Sequence, residues 1–285
     1  MPIWQEIFAR PNTSLAALPS PQHNRITKAK VQLGAALFFD RRLSGDQARS
    51  CASCHMPALG FSDGRKLAEA RDGREKLAHS PSLFNLAWGE RFFWDGRAES
   101  LEVQVVQPIL NPQELGGAWP TIIDRLGRDR KTASMFEAAF GPDSEPSSAT
   151  ITKALASYVR SLVSAPTRFE QYIAGVAEAL SNTERHGFEL FVGKAGCVSC
   201  HWGWRFTDDR LHVTGLSHEP IKTPGLRSVA NSGPYMHDGS KETLEAVLDH
   251  YAKIPTVSGL SPNLTRSLNL NEPEVAALVA FLKAL

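Results

Sequence analysis

Two short motifs hold all the cysteines of this chain and carry its strongest chemical signal. Residues 51–55 have the sequence CASCH, and residues 197–201 have the sequence CVSCH. Two cysteines three positions apart can each form a thioether with a haem vinyl group, and the histidine that follows can bind the iron. The sequence therefore predicts two covalently bound haem c groups. Their thioethers would come from Cys51, Cys54, Cys197 and Cys200, and their proximal iron ligands would be His55 and His201.

Three other uses of paired cysteines fit these motifs less well. Structural zinc sites usually place their two cysteine pairs ~15 to 20 residues apart, whereas half the chain separates Cys54 from Cys197. A thioredoxin-like redox pair requires a strand beside the motif, and neither flank has a run of β-branched residues. A structural disulfide gives no reason for histidine to follow the second cysteine in both motifs.

The motifs lie in an imperfect internal repeat whose helices must position them. The segment 34–38 (GAALF) precedes the first motif and the segment 187–191 (GFELF) precedes the second, both with helical apolar spacing. Apolar residues in 151–162 share one helical face ahead of Pro166, and a last helix follows the cap and proline at 271–273. Each half of the chain therefore carries one motif behind a helix.

Length and composition fit two globular domains. The chain has 285 residues, of which 42% are hydrophobic, and a formal net charge of +1. Such a charge creates no field that would recruit nucleic acid, and no apolar run approaches the ~18 residues that a membrane span needs. Because no strand pattern is evident, we expect an all-α fold of two cytochrome c-like haem domains with long loops, residues 1–165 and 166–285.

The N-terminus bears on the cellular compartment. Its first residues, MPIWQE, contain no basic stretch followed by a long apolar segment, so no signal peptide is present in this chain. Covalent haem attachment takes place outside the cytoplasm. We therefore expect a periplasmic protein from which the export signal has been removed.

Four further segments complete a recognisable pattern: LFFD at 37–40, FSDG at 61–64, FWDGRA at 93–98 and PYMHDG at 234–239. With two haem motifs in this order, nearly the whole chain resembles the bacterial di-haem cytochrome c peroxidase and MauG family, in its MauG-like or MbnH-like branch. The resemblance implies a peroxidatic first haem, a second haem of electron-transfer type, and a tryptophan between them, which maps to Trp94.

The resemblance also implies which groups handle peroxide. The matching positions are Gln104, Pro108 and Glu114. Cleavage of the O–O bond requires a proton to move from one oxygen to the other, which a carboxylate in a confined pocket can do. Glu114 is therefore the expected acid/base. Gln104 would orient peroxide or water, and Pro108 would limit the size of the pocket.

The first haem is expected to have an open sixth position. Relatives often block it with a histidine on the loop after FSDG, but residues 65–78 contain none. The nearest is His79, where the family usually has an asparagine that helps to bind calcium, and His79 as a distal ligand is the alternative. Whether the chain binds calcium also stays open. The matching positions Ser232 and Pro234 are present, but imidazole is a poor calcium ligand.

The second haem departs from the peroxidase pattern. At the position after PYMHDG where the peroxidases have a methionine ligand, this chain has Tyr251, and none of its four methionines follows that motif. Leu244, Val247, Leu248 and Tyr251 share one helical face; the alternative to iron ligation is an ordinary buried tyrosine. A phenolate favours ferric and higher states, whereas a thioether favours ferrous iron. Arg227 is expected to pair with a haem propionate.

A His/Tyr haem is suited to holding an oxidising equivalent. We therefore interpret the sequence as a periplasmic di-haem oxidase that uses hydrogen peroxide, stores oxidising equivalents on both haems and oxidises tryptophan in a partner protein by long-range electron transfer. The alternatives are a di-haem cytochrome c peroxidase that takes electrons from a small cytochrome or cupredoxin, and a di-haem electron carrier. The exit tryptophan of MauG-like relatives is replaced by Ala195, and Trp202 or Trp204 is the expected substitute unless both only pack against haem.

Overall fold

The computed structural model describes residues 2–73, 77–254, 258–264 and 268–285. These residues are mostly helical, as the sequence predicts, with long connecting loops. The helices are α1 (Pro2–Phe8), α2 (Lys28–Phe38), α3 (Leu101–Leu110), α4 (Trp119–Gly127), α5 (Arg130–Phe140), α6 (Ser148–Ser161), α7 (Arg168–Ile173), α8 (Asn182–Val192), α9 (Leu244–Ala252) and α10 (Glu272–Lys283). No helix among these residues is long and apolar enough to cross a bilayer.

The helices begin where the sequence supplies caps. In α6, the side chain of Ser147 accepts a hydrogen bond from the Thr150 backbone N–H, and the Thr150 hydroxyl accepts one from the Ser147 N–H. Asn271 and Glu274 form the same reciprocal pair at the start of α10. Such capping boxes satisfy backbone donors that have no partner inside the helix. The two helices predicted at 151–162 and after 271–273 are confirmed.

Two hydrophobic clusters form the core, and their central helix pairs correspond to the repeat in the sequence. In the first cluster, α2 crosses α6 closely at Gly34, where an added Cβ would lie 2.0 Å from the Ala154 carbonyl oxygen. In the second, α8 crosses α10 at Gly187, where an added Cβ would lie 2.0 Å from the Ala277 carbonyl oxygen. The glycine that opens each GxxLF segment therefore permits the same close helix crossing in both halves.

The N-terminal helix packs with the second half of the chain rather than with the helices that follow it. Phe8 of α1 is 1% exposed and belongs to the second hydrophobic cluster, where its ring contacts those of Phe169, Phe188 and Phe206. Burying this aromatic face removes apolar surface from water, and the matching apolar surface lies on the second half. The chain then crosses to the first half, where α2 through α6 build the first cluster.

The loops contain a small sheet that the sequence analysis did not foresee. β1 (Leu211–His212) pairs antiparallel with β2 (Ile221–Lys222). Strands of two residues are too short to display an alternating pattern. Three further loops, 56–62, 92–98 and 235–241, are each closed by an isolated antiparallel bridge between their end residues.

Candidate functional site

One continuous cavity of about 580 Å³ lies between the two halves and is lined by both cysteine motifs. The first motif contributes Cys54 and His55 to its wall, and the second contributes Cys197, Cys200 and His201. The cavity wall is mainly apolar, from residues such as Phe93, Leu226 and Leu278, with a few charged groups among them. Deep apolar clefts with a few placed polar groups are typical of cofactor sites.

The two motif histidines are held in the same way. Each motif begins with a turn of 3-10 helix, Cys51–Ser53 or Cys197–Ser199. The His55 Nδ1 lies 2.8 Å from the Phe61 carbonyl oxygen, and the His201 Nδ1 lies 2.9 Å from that of Phe206. A carbonyl oxygen can only accept, so Nδ1 carries the proton in both rings and Nε2 keeps its lone pair. This orientation is usual for imidazoles that bind metals.

Burial favours the neutral forms of the motif side chains. It lowers the pKa of His55 and of His201, so both rings are neutral and able to act as ligands. It raises the pKa of the Cys51 and Cys197 thiols to about 12. Redox-active and zinc-binding cysteines need a stabilised thiolate. Among the described residues, one group has the spacing of metal ligands, Cys200 with Asp208 and His212, and the first motif belongs to none.

Gln104, Pro108 and Glu114 come together at one end of the cavity. Gln104 and Pro108 lie one helical turn apart on α3, and Glu114 follows in the next loop; all three line the wall. The Asn111 side-chain amide donates a 2.8 Å hydrogen bond to Glu114 Oε1. Burial raises the pKa of Glu114 above its ordinary value, although Asn111 and Arg97 oppose the shift. The group therefore holds a carboxyl whose proton affinity is raised, beside the first motif.

Trp94 lies where the two halves meet. Its indole Nε1–H donates a 2.7 Å hydrogen bond to the His79 carbonyl oxygen, and its own carbonyl oxygen accepts one of 2.7 Å from the Lys222 N–H. The His79 N–H in turn donates to the His237 carbonyl oxygen at 3.0 Å. His237 holds the place in loop 235–241 that Trp94 holds in loop 92–98. The halves are therefore joined by a reciprocal pair of backbone hydrogen bonds around Trp94.

His79 is part of this junction. It is 4% exposed, its Nδ1 donates to the Arg65 carbonyl oxygen at 2.9 Å, and its ring centroid lies 6.5 Å from that of Trp94. Ser232 and Pro234, the other two positions of the implied calcium site, line the same cavity. Residues 74–76 of the loop that precedes His79 lie outside the described part of the chain.

Tyr251 lines the cavity from α9, close to the second motif. Burial raises the pKa of its hydroxyl well above the ordinary value, and the Cys197 and Cys200 thiols raise it further. Its neighbour His250 is directed elsewhere, with Nε2 2.9 Å from the Thr214 carbonyl oxygen. A phenolate in this position would need a nearby cation. Met236 also lines the cavity.

Arg227 supplies a test of whether the cavity fits haem. Its side chain is 1% exposed, its Nε donates to the Trp204 carbonyl oxygen at 2.6 Å, and its Nη2 lies 2.6 Å from Glu170 Oε1. Nη1 has no hydrogen-bond partner among the described residues, although Arg227 lines the cavity. A buried guanidinium nitrogen without a partner is costly, and a haem propionate is a suitable acceptor. The residues present therefore fit the cofactor.

Sequence reasoning missed several polar groups on the cavity wall. Lys222 is largely buried, and this burial lowers its pKa while Asp209 opposes the shift. Arg205 pairs with the same aspartate at 2.5 Å. Away from the wall itself, Asn111 was also missed, although its amide donates to Glu114 three residues later. The sequences HSP at 79–81 and KTP at 222–224 match in the two halves, and this repeat could have drawn attention to Lys222.

The two tryptophans that follow the second motif have different surroundings. The Trp202 side chain is 52% exposed. Trp204 packs edge-on against Trp88 of the first half, with ring centroids 4.7 Å apart and planes at 84°. Neither indole lines the cavity.

Comparison with known proteins agrees with this geometry. A family model described as di-haem cytochrome c peroxidase matches residues 28–178, more than half of the chain. The chain belongs to the di-haem cytochrome c peroxidase family. Haem is accordingly the cofactor of this family, and its members are oxidoreductases.

Individual relatives place the chain within the di-haem peroxidases. It is 40% identical to the methylamine utilization protein MauG of Methylorubrum extorquens, an alignment that covers 98% of this chain and 83% of that protein. It is 32% identical to the cytochrome c peroxidase Ccp of Escherichia coli, over 81% of this chain and 54% of that protein. The crystal structure of a MauG-like protein associated with microbial copper homeostasis superposes with a TM-score of 0.85 at 31% identity, covering 93% and 91% of the two chains.

Proposed function

We propose that this di-haem peroxidase is a periplasmic, peroxide-dependent oxidase that withdraws electrons from tryptophan in a partner protein. Hydrogen peroxide and two protons would take up two electrons and give two molecules of water. Both electrons would come from the partner, so its tryptophan is the group oxidised. The indole of a partner tryptophan is held in its own folded chain and would stay at the surface of this protein, so the electrons would travel through the protein to the cavity.

Each motif would hold one covalently attached haem. Cys51 and Cys54 would form the thioethers of the first haem and Cys197 and Cys200 those of the second, with the Nε2 atoms of His55 and His201 facing the irons. When bound, haem supplies the redox chemistry and an iron at which peroxide can react. The buried Arg227 Nη1 would receive a propionate.

The residues at the α3 end of the cavity would handle the protons of peroxide. Glu114, with its raised pKa, would accept the proton of the nearer oxygen and return it to the departing one. The Asn111 amide holds Glu114 Oε1, which leaves Oε2 to exchange the proton. Gln104 would orient peroxide or water, and Pro108 would narrow the pocket. For the first haem we propose a five-coordinate state, because residues 65–78 contain no histidine and the backbone of His79 is bonded into the junction. The Nδ1–H of His79 donates to the Arg65 carbonyl oxygen, so its Nε2 keeps a lone pair and His79 stays the alternative distal ligand.

The position of Tyr251 is the observation that favours an oxidase over a cytochrome c peroxidase. Tyr251 lines the cavity from α9 together with Cys197, Cys200 and His201, which supports a role as the distal ligand of the second haem. A hard anionic ligand lowers the tendency of iron to accept an electron from a donor and favours its higher oxidation states. The second haem would therefore store an oxidising equivalent, with Trp94 between the two haems.

Calcium forms a separate part of the proposal. Ser232 and Pro234 would offer oxygen ligands, but His79 brings imidazole where relatives bring an amide oxygen, so binding would be weaker than in relatives. Chelation with EGTA should therefore leave the absorption spectra of both haems unchanged. A spectral change that added calcium reverses would show that the ion is structural here as well.

The test of function is the reaction of the fully ferric protein with one equivalent of peroxide. The oxidase should yield a long-lived state oxidised by two electrons without prior reduction. A cytochrome c peroxidase should instead need reduction first and should turn over reduced cytochrome c, and an electron carrier should do neither. Tyr251→Phe should remove the long-lived state. If its ferric spectrum were unchanged, Tyr251 would not be the ligand and Met236 would be the next candidate.

A further inference from the structure

The contact between Trp204 and Trp88 joins the second motif to the surface of the first half. Trp204 stands three residues after His201 in the chain, and its carbonyl oxygen accepts the Arg227 Nε–H at 2.6 Å. Trp88 ends a short 3-10 helix, Leu86–Trp88, in the first half. The rings meet edge to face at 4.7 Å between centroids. Both tryptophans are half-buried, so each is partly accessible to solvent.

This contact is maintained from both sides. Asn85, three residues before Trp88, accepts a hydrogen bond from the Ser164 N–H at 3.1 Å, and its own N–H donates to the Leu162 carbonyl oxygen at 2.8 Å. On the other side, Arg10 lies over the Trp204 ring, 5.5 Å from its centroid, and its Nη2 donates to the Ser164 carbonyl oxygen at 2.5 Å. The N-terminal segment therefore holds Trp204 against the first half. Edge-to-face packing at this centroid distance is a favoured aromatic arrangement, and it makes the two rings direct neighbours.

We propose that Trp204 and Trp88 form the exit relay through which the partner protein is oxidised, an inference that rests on the proposed function. An electron would pass from Trp204 towards the second haem site, one from Trp88 to Trp204, and one from the partner indole to Trp88. Each step oxidises one indole and reduces the one before it, and two such passages balance one peroxide. The partner would present its oxidisable indole beside the Trp88 edge.

Arg10 gives the relay a direction. A guanidinium over the Trp204 face is attracted to the neutral indole but repels a positive charge on it. The oxidised form of Trp204 is therefore less stable than that of Trp88, over whose ring no cation lies among the described residues. An oxidising equivalent that leaves the haem sites should therefore reside on Trp88 rather than on Trp204, where a docked partner can reduce it. Trp202, although more exposed, has no aromatic neighbour among the described residues to continue a path.

The experiment uses the haem-loaded protein and no partner. Without a partner, the equivalents should decay onto the terminal relay residue, so mass spectrometry after repeated peroxide additions should find one or two added oxygen atoms in the Trp88 or Trp204 peptide. In Trp204→Phe and in Trp88→Phe, the oxidised state should live at least several-fold longer. The added oxygen atoms should then appear in a different peptide from that of the wild type. Trp202→Phe is the matched control and should behave as the wild type. The ferric absorption spectra of the variants verify that the haem sites are intact.

The outcomes of this experiment distinguish failure of the relay proposal from failure of the proposed oxidase function. Formation of the oxidised state with unchanged lifetime in both relay variants, or with oxygen added at Trp202 instead, would overturn the relay and leave the oxidase intact. Failure of the wild-type ferric protein to form that state would overturn both. Mapping the wild-type protein needs no substitution, so a variant that folds poorly would not prevent the decision.

Discussion

At the scale of single residues, Tyr251 determines what the second haem can do. Replacing it in Tyr251→Met would exchange a hard anionic ligand for a soft neutral one, so the reduction potential of the second haem should move to a more positive value. Potentiometric titration measures this change, and the long-lived oxidised state should shorten with it. His250→Gln is the control, because the imidazole of this neighbour is directed to the Thr214 carbonyl oxygen. In that variant the reduction potential of the second haem should remain that of the wild type. A potential unaltered in Tyr251→Met would refute ligation by this residue.

Glu114 sets the pH dependence of the first site. It acts as a base only when ionised, and burial raises its pKa above the ordinary ~4.3. The rate constant for reaction with peroxide should therefore fall as the pH decreases through that raised pKa, at a higher pH than for an exposed carboxyl. Glu114→Gln should lower the rate constant by ~10²- to 10⁴-fold and remove this dependence. Stopped-flow measurements across pH test both effects, with Glu99→Gln as an exposed control. An identical pH profile in Glu114→Gln would exclude its role.

At the scale of elements, the repeat explains how much of the site could be predicted from the sequence. The GxxLF helices, the cysteine motifs and the face of α9 have local patterns, so their existence was readable. The partners of Trp94 were not, because its indole and carbonyl bond to the backbone of His79 and Lys222, and backbone contacts between distant loops leave no composition signal. The same holds for β1 and β2, which are too short to display a period.

Helix crossing at the two repeat glycines is a test of the fold itself. In Gly187→Ala the new Cβ would meet the Ala277 carbonyl oxygen at 2.0 Å, so α8 and α10 must move apart. Overpacking of this kind costs ~1 to 3 kcal/mol, and the free energy of unfolding from denaturant titration should fall by at least that amount. Gly127→Ala, where nothing lies within 4 Å of the new Cβ, should be neutral or stabilising because alanine favours helix. Equal effects of the two substitutions would contradict the close crossing.

At the scale of the whole molecule, the N-terminal segment connects the halves in an order the sequence does not suggest. Helix α1 packs on the second cluster, although the helices that follow it build the first. Between them Arg10 bonds to the backbone at residues 164 and 165, where the chain passes from one half to the other. The first ten residues therefore stabilise the second half and also hold Trp204 in contact with Trp88.

Phe8→Ala tests this arrangement, since it removes a ring that is 1% exposed from the centre of the second cluster. Such truncations cost ~3 to 5 kcal/mol. The loss should appear in hydrogen exchange as faster opening of α8 and α10, with the protection of α2 and α6 retained. Ile3→Ala on the same helix, where the side chain is 63% exposed, should change neither. Because α1 leads directly to Arg10, Phe8→Ala should also loosen the contact between Trp204 and Trp88 and prolong the oxidised state. Equal loss of protection in both halves would mean that the two clusters open as one cooperative unit, and that α1 does not belong to the second half alone.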